Sequence, residues 1–178
     1  FGEAVYEGEV AVEGITARRV DDAATTRLAL VERVIPVLID PDASRARELA
    51  PPVLIDAIMA KRNTGTTRAD APLVLALGPG FTAGVDCHAV IETNRGHRLG
   101  RVILEGSAEP DTGRPGVIGG KTDERILRAP LAGQVEALAA IGDRVEAGQA
   151  IARVGGATVC AGTSGVLRGL VRPGASVP

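Results

Sequence analysis

The segment LVLALGPGFTAG, residues 73–84, is an apolar run that leads directly into a glycine-rich turn. Five consecutive apolar residues fit a short strand buried on both faces, which is the usual situation in parallel sheets. Two similar runs precede it, IPVLI at residues 35–39 and VLID at residues 53–56. The recurrence of such runs predicts several buried strands in the first half of the chain.

Helix-like segments alternate with these strands. A β-branched run from Val10 to Val20 predicts a strand with a turn or bulge at Gly14. Helical spacing follows at Ala24, Leu28, Val31 and Val34. Asp40-Pro41-Asp42 provides an N-cap, a proline at the first helical position and an acid in the first turn, so it predicts a helix over residues 41–49. A further helix is expected over residues 57–62. This alternation predicts an α/β fold with a parallel sheet.

The middle of the chain has a different pattern. In DCHAVIETN, residues 86–94, polar and mostly apolar residues alternate with a period of two, which predicts a half-solvated strand. A short strand is expected over residues 102–104, and the glycine- and proline-rich residues 109–120 are expected to form a loop. We therefore assign residues 71–124 to a mixed β region.

The last third contains an internal repeat. Residues 129–145 superpose on residues 161–177 with an offset of 32, and both copies keep the glycines that precede short strands. The segments APLAGQV (129–135) and IGDRVEAGQAI (141–151) resemble the biotinyl/lipoyl-like barrel-sandwich module. That resemblance predicts an all-β barrel-sandwich hybrid module over residues 125–178. Since no lysine follows Lys121, the acceptor amine is absent, and biotin and lipoate are excluded as cofactors.

Two longer segments carry a second resemblance. PPVLIDAIMAKRNTGT (51–66) and LGPGFTAGVDCHAVIETNRGHRLGRVI (77–103), together with the C-terminal module, resemble the YqeB-type accessory proteins of selenium-dependent molybdenum hydroxylase systems. The resemblance implies a role in maturing molybdenum hydroxylases, at a step such as the installation of selenium. It also implies that residues 1–70 are the remainder of a Rossmann-like domain whose N-terminal unit precedes Phe1.

The glycine turn and a basic segment are candidate ligand contacts. The third glycine of the turn falls one place late for a dinucleotide loop, and a β pattern follows it instead of a helix. Its amides are expected either to hold another anion or simply to form a tight strand-to-strand turn. Lys61, Arg62 and Asn63 are expected to contact a phosphate or pterin, or else to form a solvated basic turn. The candidate cofactor-binding residues are Lys61, Arg62, Asn63, Gly78, Gly80, Thr82, Gly84 and Arg95.

Both histidines of the chain lie close to an acid and an arginine. His88 and Glu92 are four residues apart on one predicted face, and Arg95 and His97 follow within five residues. We expect these four side chains to line one cleft adjoining the glycine turn. Such a group suits acid–base chemistry, with His88, Glu92 and His97 as catalytic residues, Glu92 fixing the His88 tautomer and Arg95 holding ligand charge. The alternatives are a structural His88–Glu92 pair and, least favoured, a metal site, so no metal ligands are assigned. Cys87 is expected to be buried, and Cys160 to lie in the core or in a turn.

Composition excludes several classes of function. Aromatic residues make up 2 % of the chain and the net charge is −2, which disfavours base-stacking sites and nucleic-acid partners. No apolar run is long enough to span a membrane, and a cytoplasmic location is expected. The leading hypothesis is an accessory factor for molybdenum hydroxylase maturation that handles an anionic ligand, such as molybdopterin cofactor, a nucleotide or a selenium donor. The alternatives are an NAD(P)-dependent oxidoreductase and a non-catalytic docking scaffold for the hydroxylase, with self-association possible in each case.

Overall fold

The computed structural model describes residues 1–113 and 116–178, which form two compact units, Phe1–Asp111 and Thr112–Pro178. Both are built mainly from strands in several separate sheets, with few helices, so the chain is mixed α/β. The elements of the first unit are α1 (Ala4–Glu7), β1 (Glu9–Val12), β2 (Ile15–Arg19), α2 (Ala23–Val31), β3 (Ile35–Val37), α3 (Ser44–Glu48), β4 (Val53–Asp56), β5 (Leu73–Leu77), β6 (Thr82–Ala83), β7 (Ala89–Ile91), β8 (Val102–Ile103) and β9 (Gly106–Ser107). Those of the second unit are β10 (Gly133–Ala137), β11 (Arg144–Val145), β12 (Ala150–Val154), β13 (Ala157–Cys160), β14 (Gly165–Val166) and β15 (Ser176–Val177).

The unit boundary differs from the predicted domain boundaries. The expected division after residue 70 falls between β4 and β5, which pair in parallel from Val53 beside Leu73 to Asp56 beside Ala76. Hydrogen bonds along two paired strands join both sides of that point into one body. The second unit begins at Thr112 and so includes most of the predicted loop over residues 109–120.

The first three strands form a small sheet with α2. β1 and β2 make an antiparallel hairpin, whose turn places Glu13 and Gly14 at φ 51° and 82°. The predicted turn at Gly14 is thereby confirmed. β3 returns parallel to β2 after α2, and Asp22 caps this helix by accepting the main-chain N–H of Thr25.

Two predicted helices differ from what the structure contains. The helix expected over residues 41–49 is α3, which begins only at Ser44 because Ala43 is left-handed and the Asp40 carboxylate accepts the N–H of Ala46 at 2.9 Å. The segment 57–62 is not helical. Met59 and Lys61 both have positive φ, 60° and 63°, which is incompatible with a right-handed helix.

The central sheet of the first unit has the order β4-β5-β7-β8. The first three strands are parallel and β8 is antiparallel to β7. Val74, Ala76 and Val90 project from one face into a core with Phe81 and Cys87. The alternating predicted strand at residues 86–94 is regular only at Ala89–Ile91.

The opposite face of the central sheet is apolar and partly open. The side chains on it that stay substantially exposed are Val53, Ile55, Leu73 and Val102. Their registers put them on the same side, since Val53 lies beside Leu73 and Ile55 beside Leu75. A mainly parallel sheet is normally covered on both faces, so this open face is unusual.

The second unit is organised by the sequence repeat. β10 pairs with β15, the last strand, through Gly133 beside Val177. With the offset of 32, the equivalent pair is Gly165 beside Val145, and β11 does pair with β14 in that register. The first strand of each repeat therefore pairs with the last strand of the other. Among the described residues these strands form one four-stranded and one two-stranded sheet and do not close into a barrel.

None of the helices in the described part of the chain has the length and apolar character needed to cross a bilayer.

Candidate functional site

Three loops leave the central sheet at one edge. Residues 57–67 follow β4, residues 78–88 follow β5, and residues 92–101 follow β7. Because these three strands are parallel, their carboxyl ends lie at the same edge, where ligands bind in open α/β sheets. This edge therefore brings together the candidate residues that directly follow a strand, whereas His88 directly precedes β7 and lies beside Val74, near the amino end of β5.

The glycine turn packs tightly against the other two loops. A Cβ on Gly78 would lie 2.7 Å from the Thr93 hydroxyl and 3.6 Å from the Met59 side chain. A Cβ on Gly80 would lie 2.5 Å from the Arg62 Cα, and Gly80 has a φ of 104°. Gly80 is therefore required by the close approach of two backbones. The structure brings the turn and the basic segment together, as the sequence suggested.

The main-chain amides of the turn are engaged within the protein. Gly78 donates to the carbonyl of Ile91 at 2.9 Å and Gly84 to that of Cys87 at 2.8 Å. Thr82 donates to the Asp86 carboxylate at 2.7 Å. These three amides do not point towards a free space, so the anion-nest interpretation of the turn is corrected for them. Binding by this loop would have to use other groups.

Asn63 folds its own loop. Its side-chain oxygen accepts the N–H groups of Gly65 and Thr66 at 2.8 Å, and its amide nitrogen donates to the Thr66 carbonyl. The Thr66 hydroxyl in turn donates to the buried Asp56 carboxylate at 2.6 Å. Asn63 therefore shapes the loop, while Lys61 and Arg62 remain exposed cations.

Glu92 is a buried carboxylate with main-chain partners. It is 2 % exposed, and its two oxygens accept the N–H groups of Asn94 and Glu109, each at 2.8 Å. Burial raises the pKa of Glu92, but the hydrogen bonds from Glu109, Asn94 and Thr93 lower it by more, so the net pKa lies below the usual value. Glu92 is therefore ionised at neutral pH and holds residues 94 and 109 together.

His88 also bonds to the main chain rather than to Glu92. Its ring Nδ1 accepts the Val74 main-chain N–H at 2.9 Å, and its main-chain N–H donates to the Val74 carbonyl at 2.8 Å. An accepting Nδ1 places the ring proton on Nε2. The tautomer is thus fixed by β5, which corrects the expectation that Glu92 fixes it.

A cleft of about 590 Å³ opens beside Glu92. Arg98 and Arg101 line it, together with Glu105, Glu109 and residues of β8. Arg95 and His97 are exposed in the same loop and are not among its lining residues. Of the four residues expected to share one cleft, only Glu92 lines this one. Arg98 and Arg101 were missed by the sequence reasoning, although the spacing of arginines in RGHRLGR was a signal for them.

The three loops at the carboxyl edge contain more basic than acidic side chains, although Glu105 and Glu109 also line the cleft. These loops carry Lys61, Arg62, Arg95, Arg98 and Arg101, all exposed. Their acids, Asp86 and Glu92, are both held by main-chain N–H groups. Arg98 approaches Glu109 only to 4.0 Å, and Arg101 has no ion-pair partner among the described residues. The arrangement suits an anion held by guanidinium groups.

The two cysteines lie in different settings. Cys87 is fully buried, as expected, and burial raises the pKa of its thiol above the ordinary value, with Asp86 adding to the effect. Cys160 is exposed on β13, contrary to the expected core or turn position. In the described ranges 1–113 and 116–178, no group of three or more His, Cys, Asp or Glu side chains is placed to hold a metal ion.

The chain is similar to one curated protein of unassigned function. Over 99 % of its length it is 49 % identical to "Uncharacterized protein YqeB" of Escherichia coli (strain K12), and it spans 33 % of that protein. This likeness supports the YqeB-type resemblance found in the sequence. No protein-family profile matches the chain, and no solved structure matches it significantly.

Proposed function

We propose that this chain acts in the maturation of selenium-dependent molybdenum hydroxylases, and that it holds an anionic ligand at the carboxyl edge of its central sheet. The observation that carries the ligand class is the cleft beside Glu92, where Arg98 and Arg101 are exposed while Glu92 is occupied by main-chain donors. Of the two other acids in the lining, Glu109 accepts a hydrogen bond from Asn94, and Glu105 is exposed. A molybdopterin-type cofactor or an oxyanionic selenium donor has the required charge. The pathway is supported by the YqeB-type resemblance.

The residues of the edge divide into two roles under this proposal. Arg98 and Arg101 donate to the ligand, with Lys61, Arg62 and Arg95 attracting it electrostatically. Glu92 is a positioning residue, since both of its oxygens already accept hydrogen bonds and its pKa is lowered. His97 is the exposed imidazole of the same loop and is the proposed proton-transfer group.

The finer fold assignments are part of the same proposal. The parallel strands β4, β5 and β7 are consistent with the remainder of a Rossmann-like domain. The exchanged strand pairing of the repeat is consistent with a barrel-sandwich hybrid. We further propose a cytoplasmic location, which the two free cysteines support.

Native mass spectrometry tests the proposal. The chain would be purified from one host that makes molybdenum cofactor and from a matched host that does not. We expect a bound mass matching a phosphorylated pterin or a selenium oxyanion that is lost in the variant R98Q/R101Q, because two charge-assisted contacts are removed. The control R27Q, on the exposed surface of α2, should retain it. Equal adducts in both variants, or none in any sample, would refute the ligand assignment.

A docking role is the second candidate, favoured by the open apolar face of the central sheet. A hydroxylase partner would cover Val53, Ile55 and Leu73 with an apolar surface. The variant I55K should then abolish co-purification with a molybdenum hydroxylase while leaving the native-mass adduct intact. Retained co-purification would remove this candidate. The NAD(P)-dependent alternative predicts a nucleotide mass in the same spectra.

A further inference from the structure

The second unit contains a cavity of about 720 Å³ between its two sheets. The buried side chains of its lining belong to the two apolar clusters of this unit, and they include Val135, Val154, Val145, Ile151 and Ala161. No aromatic residue occurs after Phe81, so aliphatic side chains alone fill this interior. Interiors are normally packed to the density of organic crystals, and small residues such as Ala152 and Ala161 leave this one incompletely filled.

The solvent-exposed part of the lining, which we call the mouth, contains two arginines. Arg128 and Arg168 line it and are exposed, and neither has a hydrogen-bond or ion-pair partner among the residues the structure describes. A third arginine, Arg125, is held by the carbonyl groups of Lys121 and Gly116. The mouth therefore offers two guanidinium groups above an apolar interior.

The acid in the lining does not neutralise this mouth. Glu124 accepts the Thr122 N–H at 3.0 Å, and its ion-pair contact is with Lys121, at 4.0 Å. Its main-chain carbonyl lies 2.7 Å from where a Cβ on Gly162 would be. The segment carrying Glu124 and Arg128 is thus held against the turn that follows β13, so this wall of the cavity is preformed.

From this geometry we infer a binding site in the second unit for a small organic anion with an apolar body. An aromatic or branched aliphatic group fills the aliphatic interior, and a carboxylate, sulfonate or phosphate meets Arg128 and Arg168 at the mouth. The volume lies within the range of about 300–1,000 Å³ that small-molecule pockets occupy. The site is independent of the proposed function, because every residue involved lies in Thr112–Pro178.

Two fluorescent probes of different charge test the site on the full chain. Anilinonaphthalene sulfonate combines an aromatic body with an anion, and Nile red is apolar and neutral. We expect both to bind the folded chain with saturation at one equivalent. In the variant R128Q/R168Q the affinity for the sulfonate should fall about tenfold or more, while that for Nile red should change less than twofold.

Matched arginine variants separate this site from other basic surfaces. R144Q removes an exposed arginine of the same unit that does not line the cavity, and it should leave both affinities within twofold. R98Q/R101Q should also leave both probe affinities within twofold. The ligand proposal at the carboxyl edge and the cavity proposal can therefore fail independently. The inference is overturned if neither probe saturates on the folded chain, if R128Q/R168Q binds the sulfonate as wild type does, or if it weakens both probes equally.

Discussion

Replacing Glu92 with glutamine tests the role of its buried carboxylate. In the wild-type chain two main-chain N–H groups, of Asn94 and Glu109, donate to opposite oxygens at 2.8 Å. A glutamine keeps one acceptor oxygen and turns an NH₂ donor towards the other N–H. One charge-assisted bond, worth about 1.5–3 kcal/mol, is lost, and a buried donor is left unpaired. We expect E92Q to lower the free energy of unfolding of the first unit by about 2–4 kcal/mol.

The assay can be confined to the first unit. The single tyrosine, Tyr6, and both phenylalanines lie within Phe1–Asp111, so near-ultraviolet circular dichroism follows that unit alone during urea unfolding. E105Q is the matched control, because Glu105 is an exposed carboxylate that lines the same cleft. We expect E105Q to stay within about 0.5 kcal/mol of wild type.

The pH dependence gives an independent readout of Glu92. Its pKa in the folded chain is lowered, so its stabilising contribution is present above the unfolded value of about 4.3 and is lost as the pH falls through the lower folded value. The gap in unfolding free energy between wild type and E92Q should therefore narrow below about pH 4. An E92Q variant as stable as E105Q at pH 7, or a gap that does not change with pH, would refute the reasoning.

Three further predictions concern the same unit and the thiols. G80A should lower the free energy of unfolding, measured by thermal unfolding, by about 3 kcal/mol or more, because the new Cβ meets backbone atoms. At Gly84 a Cβ has open space, so G84A should cost only about 1 kcal/mol of backbone strain. Equal losses in the two variants would contradict the packing argument. H88L should speed hydrogen exchange at the β5 amide that donates to Nδ1, and H88N, whose oxygen takes the place of Nδ1, should restore protection; no recovery in H88N would argue against that bond. Under native conditions a thiol reagent should modify Cys160 and spare Cys87, reaching both in urea; rapid native loss of both thiols would show that Cys87 is accessible.

The strands were predictable where the sequence itself offered few alternatives. LVLAL at 73–77 and VLID at 53–56 are strands with those bounds, because continuous apolar runs bounded by proline or glycine have little else to form. The helix expected over residues 57–62 failed for a tertiary reason. Met59 packs against Gly78 and the Arg62 backbone against Gly80, and neither contact leaves a local signal in residues 57–62.

The candidate site was predictable in place but not in detail. The sequence indicated that Lys61–Asn63 and the glycine turn meet at the carboxyl edge, and they do. The alternating pattern placed Glu92 on a half-solvated face of a strand, yet its side chain is buried. One of its hydrogen-bond donors, the N–H of Glu109, is 17 residues away in sequence, so local alternation gave no sign of it. A period-two pattern of polar and apolar residues predicts which face of a strand a side chain occupies. Whether that face is exposed to solvent depends on distant segments that pack against it.

The exchanged pairing of the repeat has a consequence for synthesis of the chain. β10 is made early in the second unit, but its partner β15 contains Val177, so the pair forms only after nearly the whole unit has left the ribosome. The first unit has all its strand partners before residue 112 and is free to fold first. Until β15 has been synthesised, the edge of β10 that will pair with it stays exposed to other nascent chains. If one repeat were made alone, its first and last strands would both lack their partners in the other repeat. Two copies of that repeat could then pair first strand with last strand as a symmetric dimer.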